Sequence, residues 1–74
     1  MTVNNELQAL GNALKRVRDD QKISPEQLAS RANISVPRLH AIEKGEVETS
    51  LTELARLAKG LETTVERLCS AAGL

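Results

Sequence analysis

The chain has 74 residues, ten basic and ten acidic side chains, a formal net charge of zero, and no Phe, Trp or Tyr. This length supports one small domain that buries about 60% of the surface its unfolded form exposes, with a core limited to Leu, Ile, Val and Ala. One cysteine excludes an internal disulfide of the kind small secreted scaffolds need, and with one histidine it cannot furnish the about four ligands of a zinc site.

In chain order, the opening M-T-V-N-N-E has neither a basic start nor an apolar run, so no export signal or membrane span is expected and a cytoplasmic protein follows. Leu7, Leu10, Leu14 and Val17 recur at spacings of three and four, which predicts a first helix over about residues 5 to 21. Ser24 can cap a second helix, with Pro25 at its first position and Gln27 completing a capping box; Leu28, Ala29 and Ala32 share its inner face. Asn33 tolerates the left-handed backbone of a sharp turn. Ser35 then caps a third helix with Leu39 and Ile42 inward, and Gly45 ends it. Ser50 and Glu53 form another capping box before Leu51, Leu54, Leu57 and Ala58, with Gly60 near that helix's end. Thr63 and Glu66 form a last one before Val65, Leu68, Cys69 and Ala72. The expectation is all-α: a compact five-helix bundle, one domain over residues 1–74, with no repeat, low-complexity run or linker. Two short helices over about residues 24–45, joined by so tight a turn, form the helix-turn-helix used to read DNA.

The stretch S-P-E-Q-L-A-S-R-A-N-I-S-V-P-R-L-H-A-I-E-K-G resembles the helix-turn-helix of the phage-repressor (Cro/cI-type, XRE) family. Ala29 matches the small residue that family carries where the helices cross. Leu28, Ile34, Leu39 and Ile42 match its apolar positions, and Asn33 stands at its turn. Arg18 and Glu43 sit where members carry an Arg–Glu pair tying the first helix to the third, and S-L-T-E-L-A-R-L-A-K-G-L-E is similar to the family's fourth helix. The likeness covers roughly residues 7 to 68 and implies a lambda-repressor-like fold. Two positions depart from it: Pro25 where members often have Gln, and the acidic Glu46 and Glu48 after the third helix.

The family's docking places the third helix in the major groove with its N-terminal residues at the base edges. The outward residues Val36, Pro37, Arg38, His40 and Ala41 are then the base readers. Arg38 is the leading one, because its fork can bond two acceptors on guanine; Val36, Pro37 and Ala41 can only touch thymine methyl groups or fill space. His40 either bonds a base or phosphate or is an exposed side chain without a role. Phosphate contacts are expected from Ser24, Arg31, Ser35 and Lys44. Residues 15 to 44 carry seven basic and four acidic side chains, a local balance of +3, whereas the stretch from Gly45 onward is acidic.

A domain of this size meets a short half-site, so a pseudo-palindromic double-stranded operator and a symmetric homodimer are expected. The fourth and fifth helices, about residues 50–72, would supply the contact through Leu57, Leu61, Val65, Leu68, Cys69, Ala72 and Leu74; the alternative is that these residues complete the monomer core. Small stand-alone members of the family, such as controller proteins of restriction–modification systems and Cro-like repressors, are similar in length and C-terminal pattern. Cys69 and His40 fall on different helices, and no glycine-rich phosphate loop is present, so no catalytic residues, metal, cofactor or small-molecule substrate are expected. The function implied is a sequence-specific DNA-binding transcriptional regulator; the alternative is a protein-interaction module (adaptor or antitoxin-like subunit) on the same fold.

Overall fold

The computed structural model describes residues 5–74, and most of the N-terminal stretch read above lies outside them. Five helices follow in order: α1 (Asn5–Asp20), α2 (Pro25–Ala32), α3 (Val36–Glu43), α4 (Leu51–Gly60) and α5 (Val65–Ala71). The described residues contain no strand, and no helix among them is long and apolar enough to cross a membrane.

The starts of α2, α3 and α4 arise where the serines predict them. The Ser24 hydroxyl accepts from the Gln27 amide at 3.1 Å, and the Gln27 side chain accepts from the Ser24 amide at 2.9 Å. Ser35 accepts from the Arg38 amide, and Ser50 and Glu53 form a second reciprocal box. These bonds satisfy amides that have no partner within a helix's first turn. The start of α5 differs from expectation. Its cap is Thr64, accepting from the Arg67 amide at 3.0 Å, and not a Thr63–Glu66 box. Thr63 belongs to the exit of α4, where its amide returns to the Ala58 carbonyl.

All five helices end in the same way. Lys22, Asn33, Gly45, Glu62 and Gly73 take positive φ, and the residue after each bonds back to the carbonyl five positions earlier at 2.8 to 3.1 Å. This is the Schellman closure, which satisfies carbonyls left open at a helix end. Glycine occupies it twice; at Lys22, Asn33 and Glu62 a side-chain-bearing residue adopts the left-handed backbone.

The core draws one fully buried leucine from each helix (Leu14, Leu28, Leu39, Leu57 and Leu68) and Leu61 from the α4–α5 turn. α1 packs on α3 and α5, α2 on α3 and α4, and α4 on α5. Three residues expected at a dimer interface, Leu57, Leu61 and Leu68, are thereby enclosed within the monomer at 0–1% exposure. Helices this short cannot close an aromatic-free core without them. Of the other expected interface residues, Val65, Cys69 and Ala72 are half-buried and Leu74 is exposed. Leu51, the first apolar residue after the Ser50 cap, is 74% exposed at that helix's first position.

Gly11 lies at a close approach between α1 and α3. A Cβ built there would lie 2.5 Å from the carbonyl oxygens of both Ile42 and Glu43, which are backbone atoms and cannot swing aside. Gly11→Ala gains about 1 kcal/mol of helix propensity but forces α1 off α3, and overpacking of this kind costs about 1–3 kcal/mol. The expected outcome is net destabilisation, read as a lower denaturation midpoint; a midpoint at or above the parent's would show that α1 and α3 are not in this contact.

Candidate nucleic-acid interface

The helix-turn-helix is held at its angle from beneath. Arg18, near the end of α1, donates through Nε to Glu43 Oε2 at 2.8 Å and through Nη2 to Oε1 at 3.3 Å, and its Nη1 donates to the Ile23 carbonyl at 3.0 Å. Both side chains are over nine-tenths buried. The bond to Glu43 outweighs burial and raises the Arg18 pKa further above its ordinary value. A pair so enclosed leaves an uncompensated buried charge if either partner is removed, at a cost of about 3–5 kcal/mol. The pair that the family likeness implies is therefore present, and it anchors the last residue of α3.

The turn between α2 and α3 is as short as the sequence suggested: Asn33 lies in the left-handed region at φ 58°, ψ 45°, and Ser35 opens α3 two residues later. Pro37 and His40 are exposed, and Val36 and Ala41 are half-buried. This presents a ridge on which His40 is the only side chain among the four able to hydrogen-bond.

Arg38 is placed differently from expectation. Its Nη2 and Nε meet Glu53 Oε1 and Oε2 at 2.8 and 3.1 Å, and Nη2 also donates to the Glu48 carbonyl at 2.9 Å. The fork expected to read guanine is closed here on the first turn of α4, where it acts as a clamp between α3 and α4. A bidentate carboxylate satisfies a guanidinium in the geometry that guanine would offer. Glu53 also accepts from the Thr49 hydroxyl and the Ser50 amide. The Arg38 bond, helped by the Ser50 amide, lowers its pKa from 4.5 to about 2.

Arg31, expected on phosphate, donates through Nη1 to the Gly60 carbonyl at 2.9 Å. Arg16 donates to the Ala71 carbonyl at 3.0 Å, and Gln21 to the Leu61 carbonyl at 2.6 Å. Every arginine in the segment read as basic thus ties one helix to another or to its end. The positive face that remains there is made of lysines, with Lys15, Lys22 and Lys44 all exposed. Ser24 and Ser35 are engaged as caps, and Pro25 and Pro37 each remove one amide from the first turns of α2 and α3. No local pattern signals the Arg38–Glu53 pair, whose members stand fifteen residues apart; Glu53 reads in sequence only as a capping residue.

The helix-turn-helix domain family model matches residues 9–70. The chain belongs to this family. The restriction-modification controller protein C.AhdI from Aeromonas hydrophila superposes with a TM-score of 0.82 at 26% identity, over 84% of this chain and 94% of that one. The clp gene regulator ClgR from C. glutamicum superposes with a TM-score of 0.90 at 29% identity, over 92% of this chain and 87% of that one. The controller protein C.Esp1396I, at 23% identity, shares the fold with a TM-score of 0.79, over 89% of this chain and 91% of that one. No curated protein matches the chain in sequence.

The clamp has a pH signature. Glu53 is ionised and bound in the folded state at a pH where it would be protonated if unfolded, so its contribution is complete above about pH 4.5 and is lost as pH falls toward 2. Glu53→Gln should flatten the fall in stability across that window, measured by denaturant unfolding at stepped pH. An unchanged profile would mean that Arg38 and Glu53 are not paired in solution.

Proposed function

We propose that this chain is a DNA-binding transcriptional regulator that acts in the cytoplasm as a homodimer on a two-fold operator. The observation that carries the reading is the capped α2–turn–α3 unit, fixed on α1 by Arg18 and Glu43 and presenting an open outer face of α3. The likeness to C.AhdI, a controller protein, and to ClgR, a gene regulator, supports it. Base contact falls to His40 by hydrogen bond and to Val36, Pro37 and Ala41 by apolar contact with thymine methyl groups, supplemented by readout of duplex shape. Phosphate contact falls to Lys44 and to the amide-bearing starts of α2 and α3, where Ser24 and Ser35 sit. With three leucines withdrawn into the core, the self-contact rests on Val65 and Cys69 of α5 and on Ala72 and Leu74 just beyond it.

A second reading, a protein-interaction module on the same fold, is favoured by one group of observations. Glu46 and Glu48 are exposed directly after α3, and Arg38 is committed to Glu53. Mobility shifts at two salt concentrations separate the two, since association with a duplex weakens as salt rises while counterions are displaced.

Binding selection from random duplexes should return a two-fold site whose half-site preference changes on His40→Ala. On Arg38→Ala the preference should stay the same while the fold loses stability. Recovery of no enriched sequence, with no mobility shift at low salt, would refute DNA reading. Sedimentation at high micromolar concentration should show a dimer, and a monomer throughout would refute the homodimer.

A further inference from the structure

A cleft of about 510 Å³ runs between α1 and α3, lined by Asn12, Lys15, Arg18, His40, Glu43 and Lys44. Its floor is the Arg18–Glu43 pair, in which the only carboxylate lining the cleft is already neutralised by a two-point bond. Its walls carry the ammonium groups of Lys15 and Lys44, the His40 imidazole and the Asn12 amide. Lys15 and Lys44 are exposed, and neither makes a salt bridge with a carboxylate among the described residues. By contrast, the arginines at 16, 18, 31 and 38 all bond to carbonyls or carboxylates of the chain itself. Two cations without an acidic partner, brought to one cleft from separate helices, have the composition of an anion seat.

The size and position of the cleft favour one anion. It opens on α1 one turn beyond Gly11, where that helix lies close against the end of α3, and His40 belongs both to its wall and to the outer ridge of α3. A duplex lying along that ridge carries a line of phosphodiesters past its edge. Lys15 therefore adds a cation of α1 to the cleft that Lys44 lines from the end of α3.

We propose that the α1–α3 cleft is a phosphodiester subsite for duplex DNA, with Lys15 and Lys44 as its two cationic walls and Asn12 and His40 as neutral donors. The inference rests on the DNA-binding reading above and adds to it a residue of α1 that no feature of the helix-turn-helix itself implies. Neutralising one phosphate contact lowers the dependence of log affinity on log salt by about 0.9.

The test measures fluorescence anisotropy of a labelled mixed-sequence 20-base-pair duplex with the full chain between 50 and 200 mM salt. Lys15→Gln should lower the salt slope by about 0.9 and weaken binding about three- to tenfold at the low-salt end, and Lys15→Arg should restore both. Lys59→Gln, on the last turn of α4 and outside the cleft, should leave the slope unchanged. If the parent chain binds and Lys15→Gln matches it in slope and affinity, the subsite is overturned while DNA binding stands. If Lys59→Gln lowers the slope as much as Lys15→Gln, the effect is one of overall charge, and the subsite is again overturned. Failure of the parent chain to bind any duplex overturns the functional reading itself.

Discussion

The buried contact between Arg18 and Glu43 is the constraint from which the remaining geometry follows. α3 has only eight residues, too few to hold an orientation by its own apolar face, since it contributes just Leu39 and Ile42 to the core. A charged pair sealed from water has one satisfactory geometry and a large penalty for any other. Placed at the last turn of α3, it fixes that end against α1. The approach is close because Gly11 has no side chain to hold the helices apart, and Arg18 also holds the Ile23 carbonyl, so the entry to α2 is set by the same guanidinium.

Arginine has a wider part in this molecule. A core without aromatic rings, spread over helices of seven to sixteen residues, offers little stabilisation per contact, and short helices leave a high proportion of carbonyls open at their ends. Four arginines and a glutamine answer this by reaching across. Arg16 meets the end of α5, Arg31 and Gln21 the end of α4, Arg38 the start of α4, and Arg18 the end of α3. Positive charge at a helix C-terminus also opposes the field of the aligned peptide dipoles. The consequence for function is a division of labour. Within residues 15 to 44 the arginines are structural, and the cations left there for a polyanion are lysines, whose compact charge suits sequence-independent contact with phosphate and not the two-point reading of a base.

Local signals were legible where the chemistry is local. Ser24 with Gln27, Ser35, and Ser50 with Glu53 mark three helix starts because each bond closes within four residues. Asn33 marks the turn because few residues accept its backbone. Signals failed where the backbone departed from the usual choice. Glu62 takes a left-handed conformation that glycine ordinarily supplies, which draws Thr63 into the exit of α4 and moves the cap of α5 to Thr64. The Arg18–Glu43 pair was visible only through likeness to a family, since nothing within either helix announces a partner twenty-five residues away.

The sequence by itself determined the five helices, the serine caps of α2, α3 and α4 and the helix-turn-helix, because these depend on hydrogen bonds and apolar spacing within one or two turns. Only the tertiary structure decided which side chains remain available to a ligand. Arg38 and Arg31 look free along the chain and become engaged when α4 folds against α2. Leu57, Leu61 and Leu68 look like a surplus apolar face and become the core. Lys15 looks like one cation on an amphipathic helix and becomes a wall of the cleft beside α3. Availability depends on what packs opposite a residue, and that is settled by contacts between segments far apart in sequence.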